Sequence, residues 1–180
     1  MFQIKPYFLD ISNQIAVLAI NVLKRVLKQQ GHRLTGKLEQ SIEAIIQVNR
    51  ADYIATIDIY FEDYGGVLNR GIPANKVPYQ RGSGKKTSKV VQGLADFAIL
   101  RQMTTDPAVA IRIAFAILNK WKKEGAPTIA SRRYSQTGNR TGAIEETIKE
   151  IEPLIVEIFN QSVSEFFGLY FEYIAAQIKR

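Results

Sequence analysis

Apolar residues recur every three or four positions between residues 8 and 30. This spacing predicts an amphipathic helix, because side chains at such intervals share one face. Gly31 follows the last turn, where a helix commonly ends on a residue with positive φ. Lys24 and Lys28 lie in the last turns and support a helix end at this position, since the helix dipole favours cations near the C-terminus. The pattern therefore indicates a first helix over residues 8–30.

The apolar period changes to two after residue 41, which predicts strands over residues 42–48 and 53–61. Residues 49–52 (NRAD) between them are typical of a hairpin turn. An alternative is a helical start near Gly36 that passes into strand by Ile45. Either interpretation places a strand pair directly after the first helix.

Helical spacing returns over residues 89–102 and 107–124, and again in a long segment over residues 143–178. Residues 63–88 hold five glycines and two prolines and are expected to form a long loop. The segment 125–142 is rich in Ser, Thr and Gly and is expected to form a second loop.

The C-terminal helical pattern carries more apolar surface than one short helix needs for a small core. Six aromatic residues lie between positions 159 and 173. They either pack into the core or form a subunit interface, where aromatic residues are enriched. Pro153 interrupts the pattern and predicts a kink or a fresh helix start.

Together the elements predict an α+β fold in which a small antiparallel sheet packs against the N-terminal helix, with additional helices and a long C-terminal helix. With 180 residues, 46% hydrophobic and 23% charged, the chain suits a single domain over residues 1–180 with one core. Its predicted parts are a helix and strand pair (8–62), a long loop (63–88), a helical pair (89–124), a loop (125–142) and the C-terminal helix (143–180).

Residue usage argues against an enzyme. The absence of cysteine excludes disulfides, thiolate metal sites and cysteine nucleophiles. His32 is the one histidine, so zinc sites and histidine triads lack their parts, and we interpret it as a solvated cap residue. Glu62 and Asp63 are adjacent at a strand end and point to opposite faces. No catalytic, cofactor-binding or metal residue is predicted.

Residues 82–87 (GSGKKT) resemble a phosphate-binding loop only superficially. The nucleotide-binding pattern needs Ser or Thr directly after the lysine, and Lys86 stands there instead. The first residues contain no long apolar run, so neither a signal peptide nor a membrane partner is expected.

Charge is distributed unevenly along the chain. Residues 63–140 carry 14 Lys or Arg against 4 Asp or Glu, whereas residues 141–180 carry 3 against 7. The asymmetry serves solubility, or it attracts an anionic partner such as phosphate or an acidic protein face. A third interpretation is that the basic middle of one copy meets the acidic end of a neighbour, which favours a head-to-tail ring.

One short motif occurs twice, as TGKLEQSI at residues 35–42 and as TGAIEETI at residues 141–148. The first copy follows the predicted helix, and a strand pair and then YFEDYG at residues 60–65 come after it. In this order the chain resembles the head–tail joining, or tail-completion, proteins of tailed bacteriophages. Further matches are VPY (77–79), IAFAI (113–117), KKEG (122–125) and PTIAS (127–131). In the family's pattern an acidic residue, an aromatic residue and a glycine follow one another directly, whereas here Asp63 is inserted between Glu62 and Tyr64.

The resemblance implies a non-catalytic α+β protein without a cofactor that forms a homo-oligomeric ring, of six or twelve copies, in the virion neck. Portal or adaptor and tail proteins are the partners it implies, with assembly in the host cytoplasm. The alternative function is a basic nucleic-acid-binding accessory domain. Contact with DNA, packaged DNA included, would then be sequence-independent and salt-sensitive.

Candidate interface residues are the basic and tyrosine residues of the two loops and the aromatic residues of the C-terminal pattern. We expect both loops to become ordered only on assembly. The candidates are Tyr64, Arg70, Tyr79, Arg81, Lys85, Lys86, Arg132, Arg133, Tyr134, Phe166, Phe167, Tyr170 and Phe171.

Overall fold

The structure, a computed structural model, is α+β and mainly helical, as predicted. It describes residues 5–32, 35–49, 54–78 and 88–178. The chain divides into two compact units, and the single-domain organisation stays a prediction. Unit 1 comprises Met1–Leu27, Lys37–Glu62 and Ala143–Arg180, and unit 2 comprises Lys28–Gly36 and Asp63–Gly142.

Helix α1 spans Lys5–Gln29 and confirms the predicted N-terminal helix. Gly31 ends it with a φ of 76°, the left-handed conformation that favours glycine. Its most buried face combines small and branched side chains, namely Ser12, Ala16, Ala19, Val22, Leu23, Val26 and Leu27. The small residues leave room for close approach of a packing partner, which the apolar spacing alone does not reveal.

A short helix, α2 (Lys37–Gln40), leads into a hairpin of strands β1 (Glu43–Asn49) and β2 (Ile54–Tyr60). The strands are antiparallel, with Glu43 opposite Tyr60. The helical start near Gly36 is thereby confirmed, as are both strands to within one residue. The predicted turn lies outside the described residues apart from Asn49. Ser41 Oγ accepts a hydrogen bond from Glu62 N at 3.1 Å, which joins the two ends of the hairpin.

The prediction of a loop over residues 63–88 is wrong for its first part. Helix α3 spans Asp63–Arg70, and a 3₁₀ helix follows at Ala74–Lys76. Gly65 is buried within α3, so this glycine permits close packing rather than chain flexibility. The second predicted loop also contains a 3₁₀ helix, at Ile129–Tyr134.

Helices α4 (Lys89–Leu100) and α5 (Pro107–Glu124) confirm the predicted helical pair and pack together in unit 2. Ser88 Oγ caps α4, and Asp106 Oδ1 caps α5 by accepting from Ala108 N at 2.8 Å. Four alanines allow the helices to approach closely, because their side chains add little bulk. The buried cluster is Val77, Val91, Ala95, Ala98, Ala110, Ala114 and Leu118.

Helix α6 spans the 36 residues Ala143–Ile178 and continues through Pro153. The prediction of a fresh start at this proline is therefore wrong, although its ring removes one backbone donor from the helix. Ala143 and Thr147 are the only residues of α6 that are buried. Among the described residues, no helix combines the length and apolar character needed to cross a membrane.

Substitution of Leu118 tests the unit 2 core, because this side chain is completely buried between α4 and α5. We expect Leu118→Ala to lower the free energy of unfolding by about 3 kcal/mol through lost burial and cavity formation. The neighbouring Phe115→Ala, at a half-exposed position, should cost about 1 kcal/mol. Urea denaturation at one fixed protein concentration measures both, and equal costs would contradict this core.

Candidate functional site

The second part of α6, residues 154–178, carries more exposed large apolar side chains than any other element of the described chain, and we call it the α6 tail. None of its residues is buried. Phe171 is 64% exposed and Ile178 is 79% exposed. The other large apolar side chains exposed along it are Leu154, Val156, Phe159, Phe167, Leu169, Tyr170 and Tyr173. Contiguous apolar surface of this kind marks an interaction site.

Four aromatic rings form a continuous row on the α6 tail, because their positions are one, three or four residues apart on the helix. Phe166 stacks on Tyr170 and Phe167 on Phe171, each with ring centroids 6.3 Å apart. Phe166 meets Phe167 edge to face at 5.7 Å. The structure thus brings together all four aromatic candidates predicted in this segment.

Carboxylates line a different face of the same helix. Glu150, Glu157, Glu165 and Glu172 follow one another at intervals of seven, eight and seven residues. Such intervals amount to about two helical turns, so these side chains project from one side. Glu150 pairs with Arg25 of α1 within unit 1. We call the remaining three the acidic stripe; among described residues, Gln161 donates to Glu165 at 3.0 Å, and Glu157 and Glu172 have no polar partner.

Unit 2 contains a cleft of about 260 Å³ lined by three arginines, which we call the arginine cleft. Arg70 comes from the end of α3 and Arg132 from the 3₁₀ helix. Arg140 lies in the segment that precedes α6. The sequence places these residues up to 70 positions apart, and the fold brings them to one cleft.

Backbone pairing holds together two of the segments that line the arginine cleft. Ile72 and Ala126 form an isolated antiparallel bridge, with N–H···O distances of 2.6 and 2.8 Å. Gly71 and Gly125 flank the bridge with φ values of 73° and 82°. A Cβ at either position would come within 2.7 Å of the opposite carbonyl oxygen, Ala126 O or Ile72 O. The close approach therefore requires glycine at both positions.

Arg140 anchors the wall of the cleft to the end of α1. Its Nε donates to Gln30 O and its Nη2 donates to Gly31 O, both at 3.2 Å. Gln30 Nε2 in turn donates to Thr141 O at 3.2 Å, and Gln136 N donates to Gln29 O at 2.8 Å. Residues 125–142 are thus joined to the end of α1 by hydrogen bonds within unit 2, and the expectation that they order only on assembly stays a prediction.

The potential around Arg140 is positive. Burial lowers the pKa of Arg140, and the nearby charge of Arg101 lowers it further. Burial and then the charge of Arg140 lower the pKa of His32, while its hydrogen bond to Arg140 O acts in the opposite direction. Glu124 is the one carboxylate among the residues lining the cleft. Its pKa is lowered chiefly by a hydrogen bond from Lys120, so its charge already has a partner.

The remaining predicted candidates are not among the residues that line the arginine cleft or form the aromatic row. Tyr64 is exposed on α3. Arg133 and Tyr134 lie on the 3₁₀ helix, where Arg133 Nη2 donates to Tyr134 OH at 2.8 Å. The interface role of all candidates stays a prediction. Tyr79, Arg81, Lys85 and Lys86 lie outside the described residues.

Sequence reasoning missed the central position of Arg140 and misjudged His32. The histidine is not a solvated cap: it is partly buried, and its Nε2 lies 3.0 Å from Arg140 O. No local pattern signals this contact, because the partners are separated by 108 positions.

Among the described residues, no group of His, Asp and Glu could hold a metal ion. Comparisons with protein-family models, curated proteins and solved structures found no match. The described chain thus offers two candidate functional features, an apolar helix with an acidic stripe in unit 1 and a cationic cleft in unit 2.

Arg140→Ala should destabilise unit 2, because it removes two charge-assisted hydrogen bonds to backbone carbonyls. We expect a loss of about 2 kcal/mol in the free energy of unfolding. Arg133→Ala is the matched control, since this exposed arginine makes its hydrogen bond and its cation–π contact with its neighbour Tyr134 and none with a backbone carbonyl in the described structure. Chemical denaturation that shows the same loss for both variants would contradict the anchoring role of Arg140.

His32 should titrate below its ordinary pKa of 6.5. The unfolded chain binds a proton on His32 more tightly than the folded chain does. The contribution of His32 to the free energy of unfolding is therefore fully present above pH 6.5 and is lost as the pH drops through the folded-state pKa. An NMR titration of the one imidazole gives its pKa directly. Denaturation between about pH 5 and 7 should show the dependence in the wild type and not in His32→Gln. A pKa above 6.5 would contradict the burial of this ring.

Proposed function

We propose that this protein is a structural assembly protein that acts as a homo-oligomer, and that it serves as a ring component of the head–tail connector in a tailed-phage virion. The observation that carries the oligomer is the α6 tail, whose apolar side chains lack cover within one chain. A helix that is apolar over most of its circumference is normally buried.

The energetic scale suits association between copies. Burying the exposed part of one large apolar side chain contributes on the order of 1 kcal/mol. The nine exposed on the α6 tail therefore represent on the order of 10 kcal/mol per copy, comparable with the 4–15 kcal/mol that association costs. A surface ion pair contributes only about 0.2–1 kcal/mol, so the apolar surface is the main source of affinity.

The connector role is supported by the order of the sequence motifs, from the TGKLEQSI turn through the hairpin to YFEDYG. The fold places the first motif in the turn and short helix before β1 and the last across the start of α3. In this role the partners are portal or adaptor proteins on one side and tail proteins on the other, in the virion neck.

A basic nucleic-acid-binding accessory domain is the second candidate, and the arginine cleft is the observation that favours it. Its binding would weaken steeply as salt increases, because phosphate contacts release counterions. A connector ring, in contrast, loses little of its mass when salt is raised, because apolar burial supplies most of its affinity and is insensitive to screening.

The connector role is tested in the phage that encodes the chain. Particles made without this protein should accumulate as separate heads and tails, and supplying the wild-type protein should join them. Complete infectious particles formed in its absence would overturn the connector role.

The aromatic row provides the test of the assembly surface. We expect the double variant Phe167→Ser, Phe171→Ser to lose the oligomer, because it replaces two exposed rings with small polar groups. Light scattering coupled to size exclusion measures the mass. Both side chains are exposed in one chain, so the helical content seen by circular dichroism should stay unchanged.

Leu100→Ser is the control, since Leu100 is 57% exposed but lies at the end of α4 in unit 2, outside the lining of the arginine cleft. The control variant should assemble like the wild type. If Leu100→Ser reduces the mass of the assembly as much as the double variant does, the α6 tail is not the contact surface.

A further inference from the structure

The two compact units carry opposite net charge. Unit 2 contains 16 Lys or Arg and 4 Asp or Glu, a net of +12, whereas unit 1 contains 8 and 13, a net of −5. The division follows the fold rather than the order of the sequence, because unit 1 is assembled from three separate segments. Two copies in the same orientation therefore offer complementary surfaces to each other.

The acidic stripe has the form of a recognition element. Its carboxylates Glu157, Glu165 and Glu172 are exposed, lie on one side of a rigid helix and border the apolar surface of the α6 tail. Glu150, on the same side, already pairs with Arg25 of α1. This pair shows that a guanidinium can reach the carboxylate side of α6.

The arginine cleft has the form of a receptor for carboxylates. A guanidinium presents planar donors that match a carboxylate in pairs. Arg70 and Arg132 are exposed at the cleft, while the guanidinium of Arg140 is held by hydrogen bonds to backbone carbonyls. The one carboxylate of the lining, Glu124, is occupied by Lys120. The cleft thus has an excess of positive charge.

We propose that the arginine cleft of one copy binds the acidic stripe on α6 of the next copy, so that assembly proceeds head to tail. The proposal rests on the homo-oligomer proposed above and assigns its contacting surfaces. The ion pairs select the partner and the register, and the adjoining apolar surface supplies the affinity. Such a heterologous contact repeats from copy to copy and closes into a ring when the rotation permits.

Charge reversal tests the pairing. The cleft variant is Arg70→Glu, Arg132→Glu, and the stripe variant is Glu157→Lys, Glu172→Lys. We expect each to weaken self-association at least tenfold, because each places like charges opposite one another. An equimolar mixture of the two variants should recover assembly, as should one chain that carries all four substitutions. The control is Lys89→Glu, Arg112→Glu, which changes charge equally at exposed positions of unit 2 outside the cleft lining.

Sedimentation velocity on the full chain, over a concentration series, separates the outcomes. Weak association of each variant with recovery in the mixture supports the proposal. A cleft variant that associates like the control overturns the pairing while leaving the oligomer itself intact. If each variant weakens association and their equimolar mixture does not recover it, the pairing is also overturned, because the two surfaces then do not face each other. A wild-type chain that stays single overturns the oligomer as well.

Discussion

The central constraint of the structure is that α6 is much longer than the part of it that one chain buries. Of its 36 residues, two are buried, and both belong to its first two turns. The α6 tail continues as a regular helix with aromatic side chains in solvent contact. Because apolar burial is the main favourable term in folding and association, a helix of this composition is stable when another surface covers it.

The rest of the chain has its own local constraints. Unit 2 is held by the alanine-rich contact of α4 and α5 and by the glycine-flanked bridge of Ile72 with Ala126. Arg140 joins the segment before α6 to the end of α1 through carbonyl oxygens. These interactions are satisfied within one chain. They leave two features unsatisfied, the apolar surface of the α6 tail and the surplus charge of the arginine cleft.

Elements with strong periodicity were predictable from the sequence. The helices α1, α4 and α5 follow from apolar spacing and from boundary signals such as Gly31 after α1 and Pro107 at the start of α5. The hairpin follows from the alternation of apolar and polar residues. α3 was not predictable, because Gly65 and Gly66 have low helix propensity and only tertiary packing reveals the burial of Gly65. The aromatic row was predictable from residue type. The arginine cleft was not, because it unites residues from three distant segments that carry no shared local pattern.

In the proposed assembly, copies of this chain cover one another's α6. Native mass spectrometry of the wild-type protein at micromolar concentration shows whether such an assembly forms. We expect a closed assembly whose mass is a fixed multiple of the 20.3 kDa chain. A spectrum that contains only the 20.3 kDa chain over the whole concentration range would contradict it.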